Sequence, residues 1–229
     1  VRLAALFSGG KDSTFAIYAA KQMNHSIECL IVIGPESDES RLLHFPNIEF
    51  TKLQSESMQI PSLHFDANDT DSTHEIALMR EMLRQAKNDF GVEGVVHGGI
   101  LSEFQKSSFR EACRELGLET IAPLWQTDQS RYMHKLVDEH FDFIITSVTA
   151  DGLDDSWLGR VLTKDDLSDL EKLSKKHSFN VSFEGGEAET FVVDCPLFSK
   201  PIVIKDASKS WDGYRGRFEI LEAELDNHA

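Results

Sequence analysis

Residues Ser8-Gly9-Gly10-Lys11-Asp12-Ser13 sit between an apolar run, Leu3-Ala4-Ala5-Leu6-Phe7, and a helical pattern through Phe15, Ala16, Ala19, Ala20 and Met23. That order reads as strand, glycine turn, helix. Two adjacent glycines let the backbone adopt conformations that a Cβ would forbid and let it come close to a ligand. The N–H groups at the start of the helix then face the turn, where they and the helix dipole favour an anion. Lys11 adds a mobile positive charge, and Ser8 and Ser13 add hydroxyls. The ligand expected here is a phosphate chain, and an ordinary glycine turn with a solvated lysine is the plain alternative.

Spacing narrows the kind of phosphate loop. A Walker loop requires G-x-x-x-x-G-K followed by Ser or Thr. Counting back from Gly10 puts Ala5 at the first glycine, and Asp12 follows Lys11. The stretch instead resembles the S-G-G-K-D-S signature of the N-type ATP pyrophosphatases, the PP-loop enzymes. That resemblance implies cleavage of ATP between its α- and β-phosphates and transfer of AMP to a substrate.

Strand and helix patterns alternate through the first half. Ile27–Ile33 is a near-continuous apolar run ended by Gly34-Pro35, and Leu63–Asp66, Val92–His97 and Leu118–Ile121 are further strand candidates. Residues 36–60 are polar and irregular, with a weak helical pattern at 52–59. Helices are expected from Ser72 or Thr73 through Ala86 and over Phe104–Leu116, the latter stopped by Gly117. Continuous apolar strands alternating with helices predict an α/β fold, a doubly wound parallel sheet whose ligand lies beyond the C-terminal strand ends. Ser8–Ser13, Gly34 and His97-Gly98-Gly99 all fall at those ends.

The second half differs. Helices are expected over Tyr132–His140 and Lys164–His177, and strands over Phe141–Val148, Asn180–Phe183, Thr190–Val193, Pro201–Lys205 and Gly216–Leu225. Strands that follow one another without helices predict a mixed or antiparallel sheet. The expected organisation is therefore a nucleotide-binding domain at 1–124 and a second, smaller substrate-binding α+β domain at 125–229.

Glu184-Gly185-Gly186-Glu187-Ala188-Glu189-Thr190-Phe191 is the second dense signal, with three carboxylates and two glycines. If 187–191 are extended, Glu187 and Glu189 share one face. Such a pair can hold Mg²⁺, bind a cationic group or deprotonate a nucleophile. A solvated acidic hairpin edge fits the same residues.

The run from Glu184 to Phe198 also resembles the E-G-G-E-x-E-T-F-V-x-D-x-P-L-F signature of the diphthine–ammonia ligases. Pro123-Leu124-Trp125, Gly152-Leu153-Asp154 and Ser156-Trp157-Leu158-Gly159-Arg160 match the same family, so the resemblance reaches from Phe7 to about Gly216. Gly98-Gly99-Ile100, Gln105-Lys106 and Ala188 depart from it; Lys106 keeps a charge but lacks the bidentate fork of arginine. The resemblance is to short, archaeal-type members without a glutaminase module, which implies ammonium captured from solution. It implies an adenine nucleotide alpha hydrolase-like (HUP, Rossmann-like) sheet, ATP and Mg²⁺ as cofactors, and ATP-dependent amidation of diphthine on translation elongation factor 2 to diphthamide, with AMP and pyrophosphate released.

On that footing Lys11, Asp12, Glu187 and Glu189 are the expected catalytic residues. Ser8, Gly9, Gly10, Lys11, Asp12, Ser13, Gly34, His97 and Gly98 are expected on ATP, with Asp12 on the metal or simply capping its helix. Trp125, Trp157, Arg160, Glu184, Gly185, Gly186, Glu187, Glu189 and Thr190 are expected on the substrate. Diphthine carries a trimethylammonium group, for which Trp125, Trp157, Trp211 and Phe191 offer aromatic faces. Each tryptophan also reads as core, His97 as a structural hydrogen-bonder, and Arg160 as half of a surface salt bridge.

A formal charge of −16 argues against a partner held by its phosphate backbone. It therefore disfavours a tRNA-modifying pyrophosphatase, as does the lack of any C-x-x-C pair among Cys29, Cys113 and Cys195. A non-catalytic nucleotide-binding module would not require the acidic 184–189 segment. With no signal peptide or membrane-spanning run visible, a cytoplasmic protein with reduced thiols and no membrane partner is expected. The sequence leaves the oligomeric state open, a homodimer included.

Overall fold

The computed structural model describes residues 1–34, 47–66, 72–99 and 103–228, and of residues 66, 72–76 and 103–108 the backbone alone. Pro35, residues 36–46 and Ile100, all touched by the sequence reading, lie outside the described residues. The chain divides into two compact units, the first Val1–Ser8 with Asp12–Trp125, the second Gly9–Lys11 with Gln126–Ala229.

The first unit carries five strands, β1 (Arg2–Leu6), β2 (Ser26–Gly34), β3 (Ser62–Asp66), β4 (Gly94–Val96) and β5 (Glu119–Ile121), in the order β3-β2-β1-β4-β5. All four pairings are parallel. The helices are α1 (Lys11–Gln22), α2 (Thr51–Met58), α3 (Ser72–Phe90) and α4 (Glu103–Glu115). One face of the sheet, Ala4, Cys29, Ile31 and Val95, packs with Met79, Met82, Leu83 and Ala86 of α3 and Phe109 and Ala112 of α4. Their neighbours in the strands, Leu3, Ala5, Leu30 and Val32, point to the opposite face and are buried too. Both faces are covered, which is why the strands read as unbroken apolar runs. The fold is α/β and Rossmann-like, as expected. The strand order reverses between β1 and β4, so the turns after these two strands mark the switch point where such sheets take ligands.

The second unit holds a four-stranded antiparallel sheet, ordered β7-β6-β9-β8, built from β6 (Asp142–Val148), β7 (Ala188–Asp194), β8 (Ile202–Trp211) and β9 (Gly216–Leu225). Its helices are α5 (Gln129–Asp138) and α6 (Lys164–His177). Asp128 caps α5 by accepting from Arg131 N, so the helix starts three residues before the expected Tyr132. Thr163 and Asp166 form a capping box that fixes the start of α6.

Two expectations need correction. Asn180–Phe183 is a turn, not a strand: Asn180 Oδ1 accepts from Ser182 N and Oγ, Phe183 N donates to Asn180 O, and Phe183 sits at φ 64°. β8 runs on past Lys205 to Trp211, because it pairs with β9 over its whole length although its later residues are exposed. The three cysteines are free and buried, and burial pushes their thiols up, to about 12 for Cys29, about 11 for Cys113 and about 12 for Cys195.

Candidate active site

In the first unit the chain leaves β1 through buried Phe7 and enters α1 with Asp12 in the first turn. Ser8 N donates to Ser13 Oγ at 3.2 Å, and the two hydroxyl oxygens are also 3.2 Å apart, which ties the two ends of the loop together. Gly98, after β4, packs against the start of α1. A Cβ there would lie 2.6–2.8 Å from Asp12 C, Asp12 O and Ser13 N. Glycine is therefore required for the backbone approach itself. His97 donates its amide to Ile121 O, accepts from Gly99 N on Nδ1 at 3.1 Å, and sets its ring edge-on to Phe109 at 5.6 Å. Gly34, by contrast, is explained by packing: a Cβ would meet the Ile48 side chain at 2.8 Å.

The middle of the loop, Gly9–Lys11, clusters with the second unit. Gly9 takes φ 82°, and its carbonyl accepts from Val192 N at 2.9 Å. Lys11 N donates to Thr190 Oγ1 at 3.0 Å. The Lys11 side chain is buried, 2% exposed, with Nζ donating to Ser182 O at 2.7 Å. The rings of Tyr132 and Phe183 each stand 5.7 Å from that ammonium. A buried ammonium is tolerated only with such compensation.

The acidic segment 184–187 bonds to Asn180 and Gln129 of the same unit. Glu187 Oε1 accepts from Asn180 N at 3.0 Å, while Oε2 is buried without a hydrogen-bond partner. Glu184 Oε2 accepts from Gln129 Nε2 at 3.0 Å and from Asn180 Nδ2 at 3.5 Å. Gly186, at φ 83°, gives its carbonyl to Thr149 Oγ1. A Cβ at Gly185 would fall 2.7 Å from Glu187 Oε1, so that carboxylate would have to move aside. Glu187 lies just before β7 and only Glu189 is in the strand, so the two are not a pair on one strand face. Glu189 is exposed.

The remaining expected residues differ in exposure and in partners. Trp125 is 64% exposed, whereas Trp157 is buried and has the Arg160 guanidinium 4.7 Å from its ring centre. Arg160 also pairs with Asp166 at 3.1 Å, the salt bridge its plainer reading allowed. Phe191 is buried and Trp211 is 36% exposed. Sequence reasoning missed Asn180, Ser182, Gln129 and Tyr132. An asparagine followed two residues later by serine is a side-chain turn signal that could have exposed the first two; nothing local flags the others.

No group of three or more His, Cys, Asp or Glu is placed to hold a metal among the described residues. The turn after β1 nonetheless suits an anion such as a phosphate, judged by the close backbone approach of Gly98 to the start of α1. Asp12, in the first turn of α1, is the one carboxylate of the loop, and Mg²⁺ is usually held by one or two carboxylates together with substrate phosphates. Among the described residues no helix is long and apolar enough to cross a membrane.

Comparison with known proteins follows the same division. The diphthamide synthase N-terminal domain profile matches residues 1–120, and the diphthamide synthase C-terminal domain profile matches residues 128–225. The chain belongs to the diphthamide synthase family, a family of carbon–nitrogen ligases. Similar proteins include the diphthine–ammonia ligases of Mus musculus, 34% identical over 92% of this chain and 85% of the relative, and of Danio rerio, 33% identical over 92% and 88%. That of Schizosaccharomyces pombe is 31% identical over 90% of this chain but only 36% of the relative.

Proposed function

We propose that the protein joins ammonia to the carboxylate of diphthine on translation elongation factor 2, using ATP and releasing AMP and pyrophosphate. Residues 1–124 serve as the nucleotide-binding domain and 125–229 as the substrate-binding domain. The observation that carries this reading is the 3.0 Å bond from Lys11 N to Thr190 Oγ1, which joins the two motif segments of the sequence at one place. Similarity to named diphthine–ammonia ligases over 92% of the chain supports the substrate.

The chemistry needs two displacements. A free carboxylate has no good leaving group, so its oxygen first attacks the α-phosphorus of ATP and pyrophosphate departs. Ammonia then attacks the acyl carbon of the mixed anhydride, and AMP leaves. The Lys11 ammonium stabilises the charge that grows on the departing pyrophosphate. Asp12 would hold Mg²⁺, which when bound neutralises part of the phosphate charge. Exposed Glu189 receives the proton that ammonium must lose before it attacks. Trp125 offers an exposed aromatic face to the trimethylammonium group, while one of Trp157's faces is already taken by Arg160.

Incubation with ATP and ammonium, with and without diphthine-bearing elongation factor 2, tests this reading. AMP that forms only with the factor is the expected result. ADP in place of AMP, or AMP made equally without the factor, overturns it, and thiolation of added tRNA would favour the tRNA-modifying reading instead.

A further inference from the structure

We propose that Asn180 is a positioning residue for Lys11, and that Glu184 and Glu187 act on the lysine through it. This rests on the assignment of Lys11 to the phosphate chain of ATP. The steps are all within one unit. Glu187 Oε1 takes Asn180 N at 3.0 Å, and Glu184 Oε2 takes Asn180 Nδ2 at 3.5 Å. Asn180 Oδ1 in turn takes both the amide and the hydroxyl of Ser182, each at 3.0 Å. The Ser182 carbonyl, oriented by that turn, accepts from Lys11 Nζ at 2.7 Å. The same turn holds Phe183 at φ 64°, a conformation a phenylalanine rarely adopts, and so sets its ring 5.7 Å from the ammonium.

Lysine is a point charge on four flexible methylenes, and ordering that stem on demand weakens binding. A carbonyl and an aromatic face fixed in advance remove that cost. Two carboxylates of the acidic segment thus have a structural destination besides substrate. Asn180 touches no reacting atom; it acts through Ser182 and Lys11.

The test compares Asn180→Ala with Asn180→Asp, which keeps the acceptor for Ser182. In protein without nucleotide, the rate of Lys11 acetylation by acetic anhydride, read by mass spectrometry, should rise about tenfold in Asn180→Ala and only about threefold in Asn180→Asp, which keeps the Ser182 acceptor but loses the amide that Glu184 accepts from. In the AMP-forming assay the KM for ATP should rise about tenfold in Asn180→Ala, and kcat should fall with it because Lys11 also stabilises the departing pyrophosphate. A merely structural role would lower kcat by reducing the folded fraction and leave that KM alone. Asn180→Ala with native melting, native labelling and native KM overturns the proposal. If Asn180→Ala does not fold, Asn180→Ser, which forms the same turn more weakly, should label about threefold faster than native protein, and a native rate overturns the proposal. Should the native protein make no AMP, the assigned function fails, while the labelling rates still decide the role of Asn180.

Discussion

In the first unit a central strand such as β1 is inaccessible along Leu3, Ala4 and Ala5, whereas β8 of the second unit pairs with β9 over ten residues and yet is mostly exposed beyond Ile202. The candidate residues within each unit differ in the same way. The first unit contributes backbone, shaped by glycine at positions such as Gly98, where any side chain would collide with the chain itself. The second contributes a network of polar side chains, in which Asn180, Glu184 and Glu187 are tied through named hydrogen bonds. One region is specified by volume and the other by polarity, and each should be most sensitive to its own kind of damage.

The largest effect should come from volume in the first unit. Leu83 is fully buried between sheet and helix, so Leu83→Ala should cost about 2–5 kcal/mol in urea unfolding. Leu221 on β9 is 50% exposed, and Leu221→Ala should stay within about 0.5 kcal/mol. Equal losses would remove the contrast. Next in size is Lys11→Met, which keeps the stem and removes the ammonium that Ser182 O accepts from. AMP formation should fall about 10²–10³-fold, the usual loss when a positioned charge-stabilising donor is deleted. Turnover within tenfold of native would detach the lysine from the chemistry.

Gly98→Ala should follow, at about 1–3 kcal/mol, because the atoms it meets are backbone and cannot rotate away. Its neighbour Gly99 has φ 85° with nothing within 4 Å of a Cβ, so Gly99→Ala should cost about 1 kcal/mol from conformation alone. Chemical denaturation of both variants separates the steric term from the conformational one. If Gly98→Ala were the milder, the close approach would not be what fixes glycine there.

The same contrast explains what was legible in the sequence. Strands buried on both faces announce themselves, so Ile27–Ile33 marked β2 to within a residue at each end. Capping chemistry is local too, and Thr163 with Asp166 makes the start of α6 readable. Asn180–Phe183 was misread because Val181 and Phe183 are buried on a turn, and burial alone does not distinguish turn from strand. That a phenylalanine would occupy φ 64° is contrary to its steric preference, so no local rule anticipates it. Both motif segments were visible as unusual strings. Their junction was not, since Lys11 and Thr190 stand 179 residues apart and nothing in either string names the other as partner.

The smallest effect probes polarity in the second unit, between α5 and α6. Glu171 on α6 accepts from Ser130 Oγ at 2.5 Å and bonds His134 Nε2 at 2.7 Å, both on α5. The Ser130 hydroxyl first, then His134, holds this carboxyl below its ordinary value of 4.5. A carboxylate with a depressed folded value contributes stability that is present above its unfolded value and is lost as pH falls through the folded one. Glu171→Gln should therefore be the less stable protein at pH 7, with the gap closing as the pH drops below about 4. The side chain is 31% exposed, so screening by solvent keeps the gap under about 1 kcal/mol. Paired urea titrations at neutral and acid pH measure it. A gap that persists unchanged into acid would mean that the charge on Glu171 contributes nothing, and that α5 and α6 are joined by packing, as the first unit is.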